Sequence, residues 1–467
     1  MAVLRFQRIF PILVALSVGI IVFSISREHI SQSFVSSKTR NTGKDELVVV
    51  DVSVFWGKID SVTSPAVFNT TSQNVSDAMT TDLTTQPTTE HVVTRSITTL
   101  GAVGPLRQTV MPLLFRKDFR KMPRWDFDDV YIQDAQPVHT TCAQSVRKSE
   151  DESFKKAFIP NIRLFMSKGD INISEWNRLS HFNNPFGFMQ FNYTEMKPIL
   201  DLIPKAQEPL LPPKTEGDGC VRCAVVGTAG ILYGSGKGKE IDAHDHVFRV
   251  NGAVITGFED DVGNRTSVYV HTYHSITASL LIFRRYGMKD IPHDEGIKYV
   301  QIPEAMRDYH WLNRLLTGNR TISGSYTSKR PWTYYGKQFN ESRFYVLHPD
   351  FLRYVRNRFL LSRRLNSSHW AIVRPTNGAF AIFLALHTCD VVNIYGFMTE
   401  DYKKYPNYYA HRDFRSRVVF YANHDYKLEL RTWKKLHDTK IMSLYQRLDS
   451  GGDLANNATR NATETKH

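Results

Sequence analysis

Short apolar runs, turns and helical segments alternate along the C-terminal half of the chain. Each run is rich in β-branched residues and is followed by glycine, proline or polar residues, and an apolar stretch of helical length, 378–388, precedes the last run. The runs predict six strands, at 223–226, 247–250, 267–270, 299–302, 344–347 and 391–395. Apolar strands that alternate with helices indicate an α/β domain with a largely parallel sheet.

Glycine or asparagine follows three of these predicted strands. The turn 227–230 (Gly-Thr-Ala-Gly) follows the first strand, Asn251 the second and Gly396 the last. Parallel strands end at one edge of a sheet, where α/β proteins bind their ligands. Glycines let backbone N–H groups approach a phosphate, although this turn is neither a dinucleotide fingerprint nor a P-loop. The edge is therefore a candidate nucleotide site, and a turn without a ligand is the alternative.

A charge-free apolar segment at 9–25 lies near the N-terminus. Its 17 residues are at the short end for a membrane-spanning helix. Arg5 and Arg8 precede it, which predicts that residues 1–8 are a cytosolic tail and that the rest of the chain is lumenal. A cleaved signal peptide is the alternative, but no small-residue cleavage site follows. We therefore predict a transmembrane signal-anchor.

The segments on either side of the apolar and aromatic region are polar. Within 61–99, 17 of 39 residues are Ser or Thr, a composition typical of an extended, O-glycosylated stem. We predict a disordered stem at 26–104, one folded lumenal domain at 105–447 and a disordered tail at 448–467. Ten Asn-x-Ser/Thr sequons support lumenal exposure. Seven are predicted glycosylation sites: Asn69, Asn74, Asn172, Asn192, Asn319, Asn340 and Asn366.

Composition narrows the class of protein. The 467 residues carry 59 Lys and Arg against 46 Asp and Glu, a net charge of +13, which suits an anionic ligand or surface. An apolar fraction of 42% supports a large core. The four cysteines, which are too few for a disulfide scaffold, are Cys142, Cys220, Cys223 and Cys389. In an oxidising lumen they allow three pairings, and free buried thiols are the alternative.

Two groups of residues are candidates for chemistry. His424 offers a base near neutral pH, and the carboxylate of Glu429 can orient its ring, with a helix that begins just after the histidine. A structural or solvated histidine is the alternative. Asp126-Phe127-Asp128 has the form of an Asp-x-Asp metal site, but we favour a surface acidic cluster and predict no metal.

Four segments in order resemble the motifs of animal sialyltransferases, glycosyltransferase family 29. Residues 220–269 resemble the long sialylmotif and 374–397 the short one, Tyr408-Tyr409 is similar to the third motif, and His424 with Glu429 is similar to the very short motif. The sequences around 348–360, 420–425 and 443–447 resemble those of the α-N-acetylgalactosaminide α-2,6-sialyltransferases, type I more than type II.

The resemblance implies a single-pass type II enzyme of the Golgi membrane, with 105–447 as its lumenal catalytic domain. It implies a Rossmann-like, modified glycosyltransferase-A α/β/α sandwich that needs no cofactor or metal. The donor substrate would be CMP-sialic acid, and the acceptor the 6-hydroxyl of GalNAc on O-glycosylated glycoproteins, with no nucleic-acid partner. A preference for Galβ1,3GalNAc or its sialylated form, a glycan-binding homologue of low activity and a purely structural stalked glycoprotein are the alternatives.

The resemblance also implies roles for individual residues. His424 matches the catalytic base, Glu429 its motif partner, and Cys223 and Cys389 the disulfide between the motifs. The implied donor-binding residues are Gly227, Thr228, Asn251, Thr376, Asn377, Gly378, Gly396 and Tyr409. Three positions depart from the family pattern, which usually has Asn at position 228, Ser or Thr at 377 and an aromatic residue at 410. Thr228, Asn377 and Ala410 are therefore expected to weaken donor binding.

Overall fold

The computed structural model describes residues 49–50, 109–136, 139–205, 209–318, 330–411 and 416–447. The predicted cytosolic tail, membrane anchor and C-terminal tail, and nearly all of the stem, lie outside these residues. None of the helices within the described ranges has the length and apolar character needed to cross a membrane.

Ten strands occur in the described residues. They are β1 (Val49–Val50), β2 (Phe165–Met166), β3 (Arg222–Val226), β4 (His246–Val250), β5 (Val268–His271), β6 (Lys298–Gln301), β7 (Phe344–Leu347), β8 (Val391–Tyr395), β9 (Phe420–Tyr421) and β10 (Ser443–Leu444). Eight form one sheet in the order β10-β8-β3-β4-β5-β6-β7-β2, and β1 pairs with β9. All neighbours in the large sheet are parallel except β2, which is antiparallel to β7.

The α-helices of the described residues all lie between β1 and β10 along the chain. They are α1 (Glu152–Ala157), α2 (Ile173–Leu179), α3 (Tyr193–Leu200), α4 (Gly238–Asp242), α5 (Glu259–Val262), α6 (Tyr273–Ile282), α7 (Met306–Thr317), α8 (Trp332–Tyr335), α9 (Pro349–Tyr354), α10 (Asn377–Thr388) and α11 (Tyr426–Asp438). A π-helical turn, Val355–Phe359, continues α9. The six predicted strands correspond to β3–β8 and the predicted helix to α10, which confirms the mixed α/β sheet.

The sheet is covered on both faces. Successive side chains of a strand point to opposite sides. In β3, Val225 packs in the hydrophobic cluster that contains Phe383 of α10, whereas Val226 packs in a second cluster with Ile241 of α4 and Val262 of α5. Because both faces are buried, the central strands are largely apolar, with polar exceptions such as the fully buried Arg249 of β4.

Helix α10 lies in the core directly beneath the sheet edge where the site forms. Its residues from Gly378 to His387 are all buried, so the helix is apolar on every side. Each fully buried Leu or Phe side chain contributes roughly 1.5–3 kcal/mol to folding. Thr376 begins the helix, since its hydroxyl accepts a hydrogen bond from the Ala379 N–H at 3.1 Å. The N-terminal end of α10, with its positive dipole, is thereby fixed at the carboxyl edge of the sheet.

Two disulfides stabilise the domain. Cys142 pairs with Cys220, and Cys223 of β3 pairs with Cys389, which directly follows α10. The pairing implied for Cys223 and Cys389 is therefore confirmed, and no cysteine remains free in the described residues.

The expectation of a surface acidic cluster at 126–128 is wrong for Asp126. Its side chain is fully buried, and Oδ1 accepts a hydrogen bond from Nη2 of Arg356 at 2.9 Å. Asp128 is exposed, and Asp129 pairs with Arg358 at 2.8 Å. A buried carboxylate needs such a partner because desolvation of its charge is costly. The acidic segment thus attaches the N-terminal part of the domain to the turn after α9.

Four predicted glycosylation sites are described, and all four are exposed. Asn172 and Asn192 begin α2 and α3, where each Oδ1 accepts a backbone N–H, and Oδ1 of Asn340 accepts the Ser342 N–H. Asn366 is exposed as well. These contacts use the carbonyl oxygen of the amide and leave the nitrogen that carries a glycan accessible. Asn69, Asn74 and Asn319 lie outside the described residues, and glycan occupancy stays a prediction.

Candidate active site

The turns after β3 and β8 touch through their backbones. Gly227 N–H donates to the Tyr395 carbonyl at 2.8 Å, and Ala229 N–H donates to the Gly396 carbonyl at 2.9 Å. A Cβ on Gly227 would lie 2.5 Å from the Gly396 oxygen, and Gly396 itself has a φ of +71°. Only glycine permits this close approach and this conformation. The glycines predicted from the sequence therefore shape the edge of the site.

Asn251 and Asn377 lie in direct contact at this edge. The Asn377 Nδ2 donates to Asn251 Oδ1 at 2.8 Å, and the Tyr269 hydroxyl donates to the Asn251 carbonyl at 2.7 Å. Asn251 has a φ of +49°, a left-handed conformation that Asn tolerates better than most residues. The shared bond leaves Asn251 Nδ2 to donate and Asn377 Oδ1 to accept. The pair can thus recognise a ligand that offers both kinds of group.

Glu429 holds the turn that precedes α10. Oε1 accepts the Thr376 N–H at 2.7 Å, and Oε2 accepts the Thr376 hydroxyl at 2.8 Å. Burial raises the pKa of the Glu429 carboxyl to about 7, and the two hydrogen bonds from Thr376 oppose that rise. The structure does not show the carboxylate orienting the His424 ring; it places Glu429 on Thr376 instead. The predicted helix after His424 is α11, which Asp425 caps.

His424 is held by the backbone of Arg374. Its Nδ1 lies 2.9 Å from the Arg374 carbonyl oxygen, which can only accept, so Nδ1 carries the hydrogen of the neutral ring. Nε2 then carries the lone pair, and within the described part of the chain it has no hydrogen-bond partner. A nitrogen of this kind can take a proton from a bound alcohol.

The environment keeps the His424 ring neutral. Burial and the guanidinium of Arg374 together lower the pKa of its imidazole to about 4, while the hydrogen bond to the Arg374 carbonyl and the charge of Glu304 oppose this shift. Near neutral pH the ring is therefore unprotonated. The side chain is only partly buried, so a substrate can reach it.

Glu304, Arg307 and His274 belong to the same site but were not predicted from the sequence. Glu304 forms ion pairs with Arg374 and with Arg307, the latter at 3.1 Å. Although burial alone would raise the pKa of the Glu304 carboxyl, the charges of Arg374, Arg307 and the two histidines hold that pKa below its usual value. The sequence offered one signal for Glu304, its place directly after a predicted strand in an Ile-Pro-Glu segment. No spacing rule connects that position with His424.

Three further predicted donor-binding residues, Gly378, Thr228 and Tyr409, make packing or hydrogen-bond contacts within the protein. A Cβ on Gly378 would lie 2.9 Å from Cε1 of Phe397, so this helix start packs tightly. The Thr228 carbonyl accepts the Tyr409 N–H at 3.1 Å. Tyr409 is 1% exposed and donates its hydroxyl to the Val254 carbonyl at 2.6 Å. The structure thus places the Tyr409 ring in the core beneath the turns, where it supports them, and not at the open edge.

No group of three or more candidate metal ligands occurs among the residues described. Metal independence stays a prediction.

Sequence comparisons identify the family. The profile of glycosyltransferase family 29 (sialyltransferase) matches residues 165–441. "Alpha-N-acetylgalactosaminide alpha-2,6-sialyltransferase 1" of Gallus gallus is 45% identical over 357 residues, 74% of this chain and 63% of that protein. Its Homo sapiens counterpart is 43% identical over 347 residues, 73% of this chain and 58% of that protein.

A type 2 relative also matches. "Alpha-N-acetylgalactosaminide alpha-2,6-sialyltransferase 2" of Mus musculus is 38% identical over 305 residues, 65% of this chain and 82% of that protein. The chain spans less than two thirds of the length of the type 1 relatives. The chain belongs to glycosyltransferase family 29, the sialyltransferases.

Proposed function

We propose that the chain is an α-N-acetylgalactosaminide α-2,6-sialyltransferase, which transfers sialic acid from CMP-sialic acid to the 6-hydroxyl of GalNAc linked to Ser or Thr. The observation that carries the proposal is the orientation of His424. Its Nδ1 is held by the carbonyl of Arg374, three residues before Asn377, and its Nε2 is thereby left available. The names of the type 1 and type 2 relatives supply the reaction.

The donor would bind at the carboxyl edge of the sheet. The pair Asn251–Asn377 offers a donor and an acceptor for the cytidine nucleotide, and the glycine turns allow a phosphate close to the backbone. The N-terminal end of α10 favours negative charge. Because Thr376 is fixed by Glu429, the start of α10 keeps its position when the donor enters.

Transfer would be a single inverting displacement. Nε2 of His424 takes the proton of the acceptor 6-hydroxyl. The oxygen of that hydroxyl attacks the anomeric carbon of the sialic acid, on the face opposite CMP. The bond between that carbon and the phosphate oxygen breaks, and CMP leaves with the electron pair. CMP is a good leaving group, so the reaction requires neither a metal nor a strong general acid.

The location and domain arrangement follow from the sequence predictions. We infer a single-pass type II protein of the Golgi membrane with a signal-anchor at 9–25, a stem at 26–104 and the catalytic domain in the lumen. The fold of that domain is inferred to be the Rossmann-like, modified glycosyltransferase-A sandwich of the family.

A transfer assay tests the proposal. The secreted chain from residue 26 onward, purified and given CMP-sialic acid with GalNAc-peptide, should yield an α-2,6 linkage, identified by NMR, at the same rate with and without EDTA. Galβ1,3GalNAc-peptide is run in parallel to separate the two acceptor classes. If neither acceptor is sialylated although the protein binds glycan, the chain is a glycan-binding homologue and the proposal is wrong.

A further inference from the structure

A buried carboxylate is connected to the candidate base through a single intervening residue. Glu304 follows β6 and precedes α7, and only 9% of its side chain is exposed. One oxygen pairs with the guanidinium of Arg374, and the other pairs with Arg307 at 3.1 Å. The sialyltransfer chemistry described above assigns no role to this side chain.

Arg374 connects Glu304 to His424. Its backbone N–H donates to the Asn423 carbonyl at 2.9 Å, and its own carbonyl accepts the hydrogen on Nδ1 of His424 at 2.9 Å. Its guanidinium is held by Glu304 and also donates to the Ile372 carbonyl at 3.2 Å. The residue that orients the ring is therefore fixed at both its backbone and its side chain.

We propose that Glu304 is a positioning residue for His424, acting through Arg374. The ion pair holds Arg374 so that its carbonyl keeps the imidazole in the Nδ1–H tautomer, with Nε2 directed to the acceptor hydroxyl. The role of His424 as the base rests on the proposed function, but the tautomer does not. A purely structural ion pair is the alternative, although buried ion pairs stabilise a fold little compared with apolar side chains of similar size.

The charges around the ring give a second reason for an acidic residue at this place. Arg374 faces the imidazole from the short-motif turn, and Arg364 donates to the His424 carbonyl at 3.0 Å. Beyond Glu304 lie Arg307 and His274. Asp425, adjacent in sequence, caps α11 and accepts from the Ser362 hydroxyl at 2.7 Å. Glu304 thus balances the positive charge that faces the ring from the turn before α10.

The test uses Glu304→Gln, which keeps the shape and removes the charge, in the secreted chain. The matched control is Asp438→Asn, which removes a carboxylate that pairs with Lys434 at 2.7 Å on the surface of α11. ¹⁵N chemical shifts of the His424 ring at pH 6.5 report the tautomer without any substrate. We expect the Nδ1–H tautomer alone in the wild type and in D438N, and a mixture of tautomers in E304Q.

Kinetics supply the second measurement. We expect E304Q to lower kcat about 10- to 100-fold, a part of what general-base assistance contributes, with little change in the KM for CMP-sialic acid. In a His424→Ala background the same substitution should change kcat less than twofold, because there is no base left to position. If E304Q does not fold, Arg374→Gln removes the same ion pair from the other side and should give the same mixture of tautomers.

Several results would overturn the proposal. One is a folded E304Q with the single wild-type tautomer and wild-type kcat. Another is an equal loss of kcat in the presence and absence of His424, which would indicate a structural role. Failure of the proposed function would give another result. The wild type would not sialylate GalNAc-peptide, while the tautomer of His424 would still change in E304Q.

Discussion

Asn377 donates a hydrogen bond of 2.8 Å to Oδ1 of Asn251, which joins the first residue of α10 to the turn after β4. Ser or Thr is usual at position 377 in the family that the sequence resembles, and a hydroxyl is shorter than an amide. The longer side chain of Asn377 spans the distance to Asn251 and still has a free acceptor. The departure from the family pattern therefore adds a contact at the proposed donor site, and it need not weaken donor binding as the sequence suggested.

The first prediction concerns this pair. Asn377→Ala removes the bond that orients Asn251 and should raise the KM for CMP-sialic acid about 2- to 12-fold, the equivalent of one hydrogen bond of about 0.5–1.5 kcal/mol, with kcat nearly unchanged. Asn377→Ser serves as the comparison and should have an intermediate KM. Initial rates at varied donor concentration measure both constants. An unchanged KM in the alanine variant would show that the pair does not contact the donor.

The central sheet was predictable from sequence because its strands are buried on both faces. The run Phe344–Leu347 is apolar throughout, and Val391–Tyr395 is interrupted only by Asn393. In both cases the predicted and observed bounds agree. The two-residue strands β2 and β10 were missed, since two residues show no periodicity. Their places at the sheet edges depend on pairing with β7 and β8, which is tertiary information.

The second prediction concerns the base. His424→Ala should lower kcat about 10²- to 10⁴-fold and leave the thermal unfolding temperature within a few degrees of the wild type, because the ring makes one described hydrogen bond. His369→Ala, which removes an exposed histidine of the 366–373 loop, is the control and should have wild-type rates. Retention of the wild-type rate by His424→Ala would reject the assignment of the base.

The third prediction follows from the pKa of His424. Since burial and Arg374 lower this pKa to about 4, the neutral ring predominates above pH 4 and is lost as the pH falls through that value. The profile of kcat/KM should therefore be flat from about pH 5 to pH 7 and decline below about pH 4.5. The bound donor adds negative charge near the ring and raises its pKa, so the acidic limb of kcat should lie at higher pH. A limb of kcat/KM near pH 6.5 would contradict the lowered pKa.

The fourth prediction concerns Glu429. Its pKa in the folded protein is raised from 4.5 to about 7, so the folded state keeps a proton that the unfolded state releases above pH 4.5. Its contribution to stability is complete below pH 4.5 and is lost as the pH rises to 7, by up to about 3 kcal/mol. Glu429→Gln mimics the neutral acid. Relative to this variant, the free energy of unfolding of the wild type should fall between pH 4.5 and pH 7, as measured by urea titration. A constant difference over that range would contradict the raised pKa.

The site was only partly predictable. The glycines, Asn251, Thr376 and His424 follow strands or begin helices, and parallel topology brings such positions to one edge. Glu304 also follows a strand, but its role depends on contacts with Arg374 and Arg307 that no local pattern indicates. The partner of Glu429 also depends on the tertiary structure. Its place in a motif with His424 suggested a contact with the His424 ring, but in the fold its carboxylate contacts Thr376 instead.

The fifth prediction concerns the disulfide between Cys223 and Cys389. The bond closes a chain segment with a sequence separation of 166 residues and connects β3 to the end of α10, the two elements whose opposite ends form the proposed donor site. Cys223→Ser should therefore lower the free energy of unfolding by about 2–5 kcal/mol and also raise the KM for CMP-sialic acid. Cys142→Ser breaks the other disulfide, which joins Cys142 to Cys220 ahead of β3 and does not connect to α10, and should destabilise the fold with little change in KM. Equal effects of both variants on KM would mean that the bond at Cys223 acts on overall stability alone and does not maintain the geometry of the donor site.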